Sequence, residues 1–209
     1  MEEKVKKAIQ EVKNTQRKFE QSVEMTITLK DLDFKQPESR VRSEVTLPRG
    51  RGKPVRIGVF AEGDMAQRAK KLKVDVYSTG DIEDMGADKK KAKGIADSHE
   101  FFLAQADMMP LIGRTLGPVL GRRNKMPKPH PPMAPLEPVI ERLKKTVAID
   151  SKGQPVVHSF VGTEKMSEDD LAENAVAVLG AVERLLPRGE NNIHAVYMKT
   201  SMGKAVRVM

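Results

Sequence analysis

Between Val23 and Leu29 every second residue is apolar (Val23, Met25, Ile27, Leu29), and the residues between them are polar. Such a period-two run is a strand with one face to bury, so the chain must supply a layer that covers it. The rhythm continues through Val41, Ser43, Val45 and Leu47, stops at Leu47-Pro48-Arg49-Gly50, and returns only from Thr146 onward. There, Thr146–Asp150 and the run from Pro155 to Gly162 read as the arms of a hairpin turned at Lys152-Gly153. Ser167 is a helix N-cap with Asp169 and Asp170 in the first turn. Leu171, Ala175, Val178, Leu179, Val182, Leu185 and Leu186 then form a 3.6-residue stripe that Pro187 and Gly189 end. The last stretch, IHAVYMKTSMGKAVRV, reads as a strand, a turn at Met202-Gly203 and a second strand. An amphipathic helix over 2–16, with Val5, Ala8, Ile9 and Val12 on one face, opens the chain.

The middle of the chain has another texture. Val55 to Phe60 (VRIGVF) is dense in apolar residues, as a strand covered on both faces would be. Beyond it come a helix from Met65 to Leu72, a strand from Val74 to Tyr77, and a helix rich in lysine at Lys89, Lys90, Lys91 and Lys93. A buried strand from His99 to Ala104, an apolar run from Met108 to Leu120, an extended proline-rich tract and a basic helix from Val139 to Lys145 complete it. The two ends share a strand-plus-helix texture, and each supplies what the other must bury. The expected fold is therefore mixed α+β and α/β in two domains. Residues 1–61 and 152–209 form a discontinuous α+β domain, and residues 62–151 an inserted three-layer α/β domain. Two chain crossings between domains make a two-stranded hinge.

Composition narrows the chemistry. The chain has no cysteine and only four histidines, which removes disulfides, thiolate zinc sites and cysteine nucleophiles; no metal and no cofactor is expected. No apolar run approaches the roughly 18 residues of a membrane span, and the N-terminus lacks a secretory core, so a cytoplasmic protein without a membrane partner is expected. Lys plus Arg is 37 against 29 Asp plus Glu, a net charge of +8, which suits a polyanion held by its backbone. With Tyr 2, Phe 6 and Trp 0, composition offers no aromatic platform for reading single strands.

Three constellations could carry function. Arg40, Arg42, Arg49, Arg51, Lys53 and Arg56 are opposed locally only by Glu44, and the turn Leu47-Pro48-Arg49-Gly50-Arg51-Gly52-Lys53 sets charge among glycines whose amides can approach a phosphate. It is no phosphate loop: Leu47 stands where the first glycine belongs and Pro54 where the hydroxyl residue belongs. Lys199-Thr200-Ser201-Met202-Gly203-Lys204 mixes hydroxyls, a methionine and a glycine at an expected exposed hairpin tip, where Thr200 and Ser201 can bond ribose or phosphate and Met202 with Gly203 can meet a groove closely. Gly113, Gly117 and Gly121 have the wrong spacing for a dinucleotide loop, which leaves an apolar helix leading into a basic, proline-stiffened loop. His158 alternates along a strand as packed histidines do. An α/β enzyme acting on phosphorylated substrates lacks a nucleophile, an acid–base pair and a phosphate loop, so no enzymatic activity is expected.

These segments together carry a resemblance. LIGRTLGPVLGRRNKMPKP resembles the central motif of the ribosomal large-subunit L-one protein family in its archaeal form. RKFEQSVEMTITL, VRSEVTLPRGRGKPVRI and YMKTSMGKAVRV match that family in order and spacing, so the resemblance covers essentially the whole chain. Relative to bacterial members, the link from Val119 to Lys125 is longer. The resemblance implies a protein at the base of a mobile stalk of the large ribosomal subunit, near the exit of deacylated tRNA. Its discontinuous domain would bind rRNA, and in many members also a similar structure in the protein's own mRNA, repressing translation. A regulator acting only on mRNA outside the ribosome would use the same surface. The family's RNA contacts would fall on Phe19, Ser22, His158, Thr200, Met202 and Gly203, with Lys18 and Lys165 on phosphates. Arg114, Arg122, Arg123 and Lys125 would face tRNA, and the free protein would be a monomer.

Overall fold

The computed structural model describes residues 2–13, 17–33, 40–151 and 153–209. Backbone contacts divide the chain into two compact units, residues 1–53 with 145–209 and residues 54–144.

The terminal unit takes α1 (Glu2–Val12), β1 (Ser22–Leu29) and β2 (Arg42–Thr46) from its first segment. Residues 14–16, expected in the first helix, lie outside the described residues. Its second segment gives β7 (Thr146–Asp150), β8 (Val156–Thr163), α8 (Glu168–Leu185), β9 (Ile193–Thr200) and β10 (Val206–Arg207). The main sheet is antiparallel in the order β10-β9-β1-β8. Val23, Met25, Ile27 and Leu29 are buried, as their alternation requires, against Val5, Ala8, Ile9 and Val12 of α1 and the stripe of α8. That shared core joins the two ends of the chain. Ser167 caps α8, its Oγ accepting from Asp170 N at 3.1 Å. Where α8 comes down on β8, Gly162 makes room: a Cβ there would lie 2.5 Å from Leu171 Cδ2.

The expected hairpin of β7 and β8 does not form. β7 pairs with β2, Val45 opposite Val147, in a separate two-stranded sheet, while β8 pairs with β1, Thr26 opposite His158. Alternation marks a strand and its buried face but not its partner, and both strands have apolar faces to satisfy elsewhere. Of the turn residues named for that hairpin, Lys152 lies outside the described residues, and Gly153 has φ +75°.

The inserted unit opens with β3 (Ile57–Phe60), α2 (Gly63–Lys71), β4 (Asp75–Tyr77), α3 (Thr79–Ala87) and α4 (Lys89–Ser98). It continues with β5 (Phe101–Gln105), α5 (Met109–Thr115), α6 (Gly117–Leu120), β6 (Lys128–His130) and α7 (Glu137–Lys144). Its sheet, β4-β3-β5-β6, is wholly parallel, and β6 is a short extended piece of the proline tract. Ile82, Ala92, Ala96, Ile112, Leu116 and Leu120 cover one face, and Met65, Ala69, Ile140 and Leu143 the other. This is the three-layer arrangement read from the rhythm. The crossings fall at 53/54 and 144/145, not at 61/62 and 151/152. β3 is the strand that β4 and β5 flank, so it belongs to the parallel sheet, and β7 belongs with β2.

Candidate nucleic-acid interface

At one end of the terminal sheet β1 begins while β8 and β9 finish, with Ser22 opposite Thr163 and Val23 opposite Thr200. Gln21, 0% exposed, ties the three segments together. Its side-chain amide donates to Glu164 Oε2 at 3.1 Å, its Oε1 accepts from Met202 N at 3.2 Å, and its carbonyl accepts from Glu164 N at 3.0 Å. Ser201 closes the other side: its N donates to Ser22 O at 3.0 Å and its Oγ accepts from Ser22 N at 3.2 Å. Gly203 N donates to Thr200 O at 3.0 Å and completes the turn. This backbone frame displays two large apolar side chains to solvent, Phe19 at 54% and Met202 at 61% exposure.

Charge sits beside them. Lys165 Nζ lies 2.8 Å from Glu20 Oε2, and that hydrogen bond holds the Glu20 carboxyl below its ordinary value and the Lys165 ammonium above its own. Lys18 is exposed one residue before Phe19. Phe19, Ser22, Lys165, Ser201, Met202 and Gly203 thus meet at one edge. Thr200 does not join them as an exposed group: it is 0% exposed, because β9 runs through Thr200, paired with Val23, and the exposed tip starts at Ser201. His158 is exposed farther along β8, its Nδ1 3.2 Å from Thr26 Oγ1.

The basic cluster divides by partner. Arg49 forms a two-pronged pair with Glu173, at 2.7 and 2.9 Å, and lies 3.4 Å from Asp170; the Glu173 hydrogen bond raises its pKa. Arg51, expected on the surface, is buried, its guanidinium 4.9 Å from the Phe160 ring centre and donating to Thr146 O at 3.4 Å. Lys53 is exposed, with Nζ 4.5 Å from the same ring centre. The loop is held by Asn174, fully buried in α8, whose Oδ1 accepts from Arg49 N at 3.0 Å and whose Nδ2 donates to Gly50 O at 2.9 Å and Val161 O at 3.0 Å. At Gly52, φ +73°, a Cβ would meet Met166 Sδ and Thr163 Oγ1 at 2.8 Å, so only glycine fits. Arg40 and Arg42 are exposed at the start of β2, and Arg56 is exposed in the inserted unit.

In the inserted unit two of the four expected tRNA-facing cations are already engaged. Arg123 grips Asp97 at 2.8 and 3.3 Å. Lys125 Nζ donates to Ala96 O at 2.7 Å and His99 O at 2.8 Å at the C-terminal end of α4, where a cation suits the helix dipole, and burial pushes its pKa down. Arg114 and Arg122 are exposed. Parallel sheets of this kind take ligands where the strand order reverses, here beyond the ends of β3 and β5. That position holds the chain's own groups: Glu62 N donates to Gln105 Oε1 at 3.3 Å, and Glu62 Oε1 accepts from Thr79 N at 3.1 Å, capping α3. Bonds from Thr79 hold the Glu62 carboxyl below its ordinary value. Among the described residues no group of three His, Cys, Asp or Glu could hold a metal ion.

Sequence reasoning missed Gln21 and Asn174, although each carried a signal. Extending the alternation back from Val23 puts Gln21 at a buried position, and Asn174 interrupts the apolar stripe between Leu171 and Val178. A polar group at a core position must find partners, and both find them in the loops they fix.

Comparison with known proteins places this architecture. Residues 5–204 match the ribosomal protein L1p/L10e family. The large ribosomal subunit protein uL1 of Methanobrevibacter smithii is 49% identical over 212 residues, covering 100% of both chains. That of Pyrococcus horikoshii is 51% identical over 209 residues, 99% of this chain and 95% of its own. That of Thermococcus kodakarensis is 51% identical over 193 residues, 92% and 89% of the two chains.

Proposed function

Because the chain belongs to the ribosomal protein L1p/L10e family, we propose that it is a component of the large subunit of the cytoplasmic ribosome and binds rRNA through the end of its terminal sheet. The family is one of ribosomal proteins and not of enzymes. The observation that carries the assignment of the surface is the exposure of Phe19 and Met202 beside the hydrogen-bonded frame of Gln21, Ser22 and Ser201, with Lys18 and Lys165 next to them. Apolar side chains fixed there can pack on ribose and base edges of a folded RNA, Ser22 and Ser201 offer hydroxyls, and the lysines meet phosphates. On binding, Lys165 exchanges its bond with Glu20 for a phosphate. Lys53, His158, Arg40 and Arg42 extend the contact, whereas Arg49, Arg51 and Thr200 shape it from within. The same surface serves repression through the protein's own mRNA, since RNA of one shape would fit it in either molecule. Contact with departing tRNA falls to Arg114 and Arg122, the two of those four cations that are exposed.

The test separates the units. A chain joining 1–53 to 145–209 through a short linker should bind protein-free large-subunit rRNA nearly as well as the whole protein. The fragment 54–144 should bind it only weakly and lose that binding as salt rises. Strong binding by 54–144 alone would overturn the assignment.

A further inference from the structure

The four strands of the terminal sheet align one polar or aromatic residue each in a single row. Arg207 of β10 is opposite Tyr197 of β9, Tyr197 opposite Thr26 of β1, and Thr26 opposite His158 of β8. Residues in register share a face. The neighbouring row, Met198, Met25 and Ser159, is buried beneath the helices, so the row from Arg207 to His158 lies on the opposite face. Arg207 and His158 are exposed, and Tyr197 and Thr26 half-buried. One row closer to the Ser22 edge, Lys199, Glu24 and Phe160 align, with Lys53 Nζ 4.5 Å from the Phe160 ring centre.

We propose that this row is a stacking platform for one unpaired nucleobase of the bound RNA. It rests on the RNA-binding reading above and adds to it the kind of nucleotide that the sheet takes. The base lies on the Tyr197 ring. Thr26 and His158, already 3.2 Å apart through Oγ1 and Nδ1, present hydrogen-bonding groups to its edge, and Arg207 meets the adjoining phosphate. Charge suits the face to a polyanion: Arg207, Lys199 and Lys53 lie along it beside the carboxylate of Glu24, and Arg207, whose Nε donates to Met209 O at 3.0 Å, exchanges that bond for the phosphate. Stacking commits it to an unpaired base, because a duplex hides its base faces. The row lies about 13 Å along β1 from Ser22, so an RNA packed on Phe19 and Met202 can reach it with a neighbouring looped-out nucleotide.

The chain has no tryptophan and two tyrosines, and the other is Tyr77 of the inserted unit, so in a Tyr77→Phe protein the tyrosine emission comes from Tyr197 alone. This full-length protein is titrated with protein-free large-subunit rRNA and, separately, with a perfectly paired RNA duplex. Binding is followed by filter retention and by emission, and folding by thermal unfolding. Stacking predicts that the rRNA quenches Tyr197 and the duplex does not. Tyr197→Ala should weaken rRNA binding roughly 5- to 150-fold, and Tyr197→Phe should restore it. If rRNA binds while the emission is unchanged and Tyr197→Ala binds within twofold, the platform is overturned and the RNA-binding reading stands. Equal quenching by the duplex also overturns it. If Tyr197→Ala binds rRNA normally but fails to enter reconstituted subunits, the face takes a protein neighbour and the proposal falls. Binding of rRNA by no variant overturns both readings. Should Tyr197→Ala fail to fold, the quenching arm and Arg207→Ser, on an exposed residue, still decide.

Discussion

Both units carry clustered basic residues, yet they use them differently. In the inserted unit Arg123 is neutralised by Asp97, and Lys125 is spent on the last carbonyls of α4. The position where a parallel sheet takes a ligand is likewise filled by Glu62 and Gln105. In the terminal unit the interlocking runs through Gln21, Ser201 and Asn174, polar groups that bond backbone, and leaves Met202 and Lys53 facing solvent. A basic residue in the sequence is thus not yet a contact. What decides its work is whether the fold brings a carboxylate or a row of carbonyls to it first. Arg49 makes the same point inside the terminal unit, since Glu173 claims it.

Substitutions can break or sharpen this contrast. The largest effect is expected at Asn174. Asn174→Leu would strand Arg49 N, Gly50 O and Val161 O without partners and should cost on the order of 3 kcal/mol in urea unfolding, with RNA affinity falling as the 49–53 loop loosens. A loss below about 1 kcal/mol would mean that the loop holds itself.

Next come two neighbours on one strand end. Met202→Asp should weaken rRNA binding by more than about 2 kcal/mol, because it sets a carboxylate against phosphates, and should shift stability by less than about 0.5 kcal/mol. Thr200→Val should invert the pattern, lowering stability by about 1–3 kcal/mol while affinity follows only through folding. Equal behaviour of the two variants would erase the distinction between display and frame.

A smaller pair tests the cations. Lys125→Met should lower stability by about 1 kcal/mol and leave the salt dependence of RNA binding unchanged. Lys53→Ala should leave stability intact and flatten the slope of log K against log salt by about 0.7–0.9. The slopes come from binding isotherms at several salt concentrations.

The smallest effect concerns pH. Lys165 lowers the Glu20 pKa, so their pair contributes fully above the ordinary carboxylate range and is lost as pH falls through the lowered value. Glu20→Gln should remove that acid-side loss from the pH profile of unfolding. Because both groups are exposed, the difference should be barely resolved and should vanish in high salt.

Periodicity was sufficient for what one strand or helix can report about itself. The alternation from Val23 to Leu29 identified the buried face of β1, and the stripe from Leu171 to Val182 identified that of α8. Together they made the two ends of the chain one another's cover. Residue chemistry pointed to Ser201 and Met202 at the tip, whereas Phe19 and Lys165 came only from the family resemblance. Pairing lay beyond the sequence: β7 could close a hairpin on β8 or join β2, and Ile57–Phe60 could end one unit or stand between β4 and β5 in the other. So did exposure at a strand end, where Thr200, the last residue of β9, is buried while Met202 two residues on is exposed. The aromatic count argued against a stacking face, yet strand register puts Tyr197 and His158 in one row across the sheet. The physical reason is common to all of these. Hydrophobic pattern is local and fixes which side of an element is buried, whereas strand partners, ion pairs and shared faces join residues far apart in the chain and exist only once it has closed on itself.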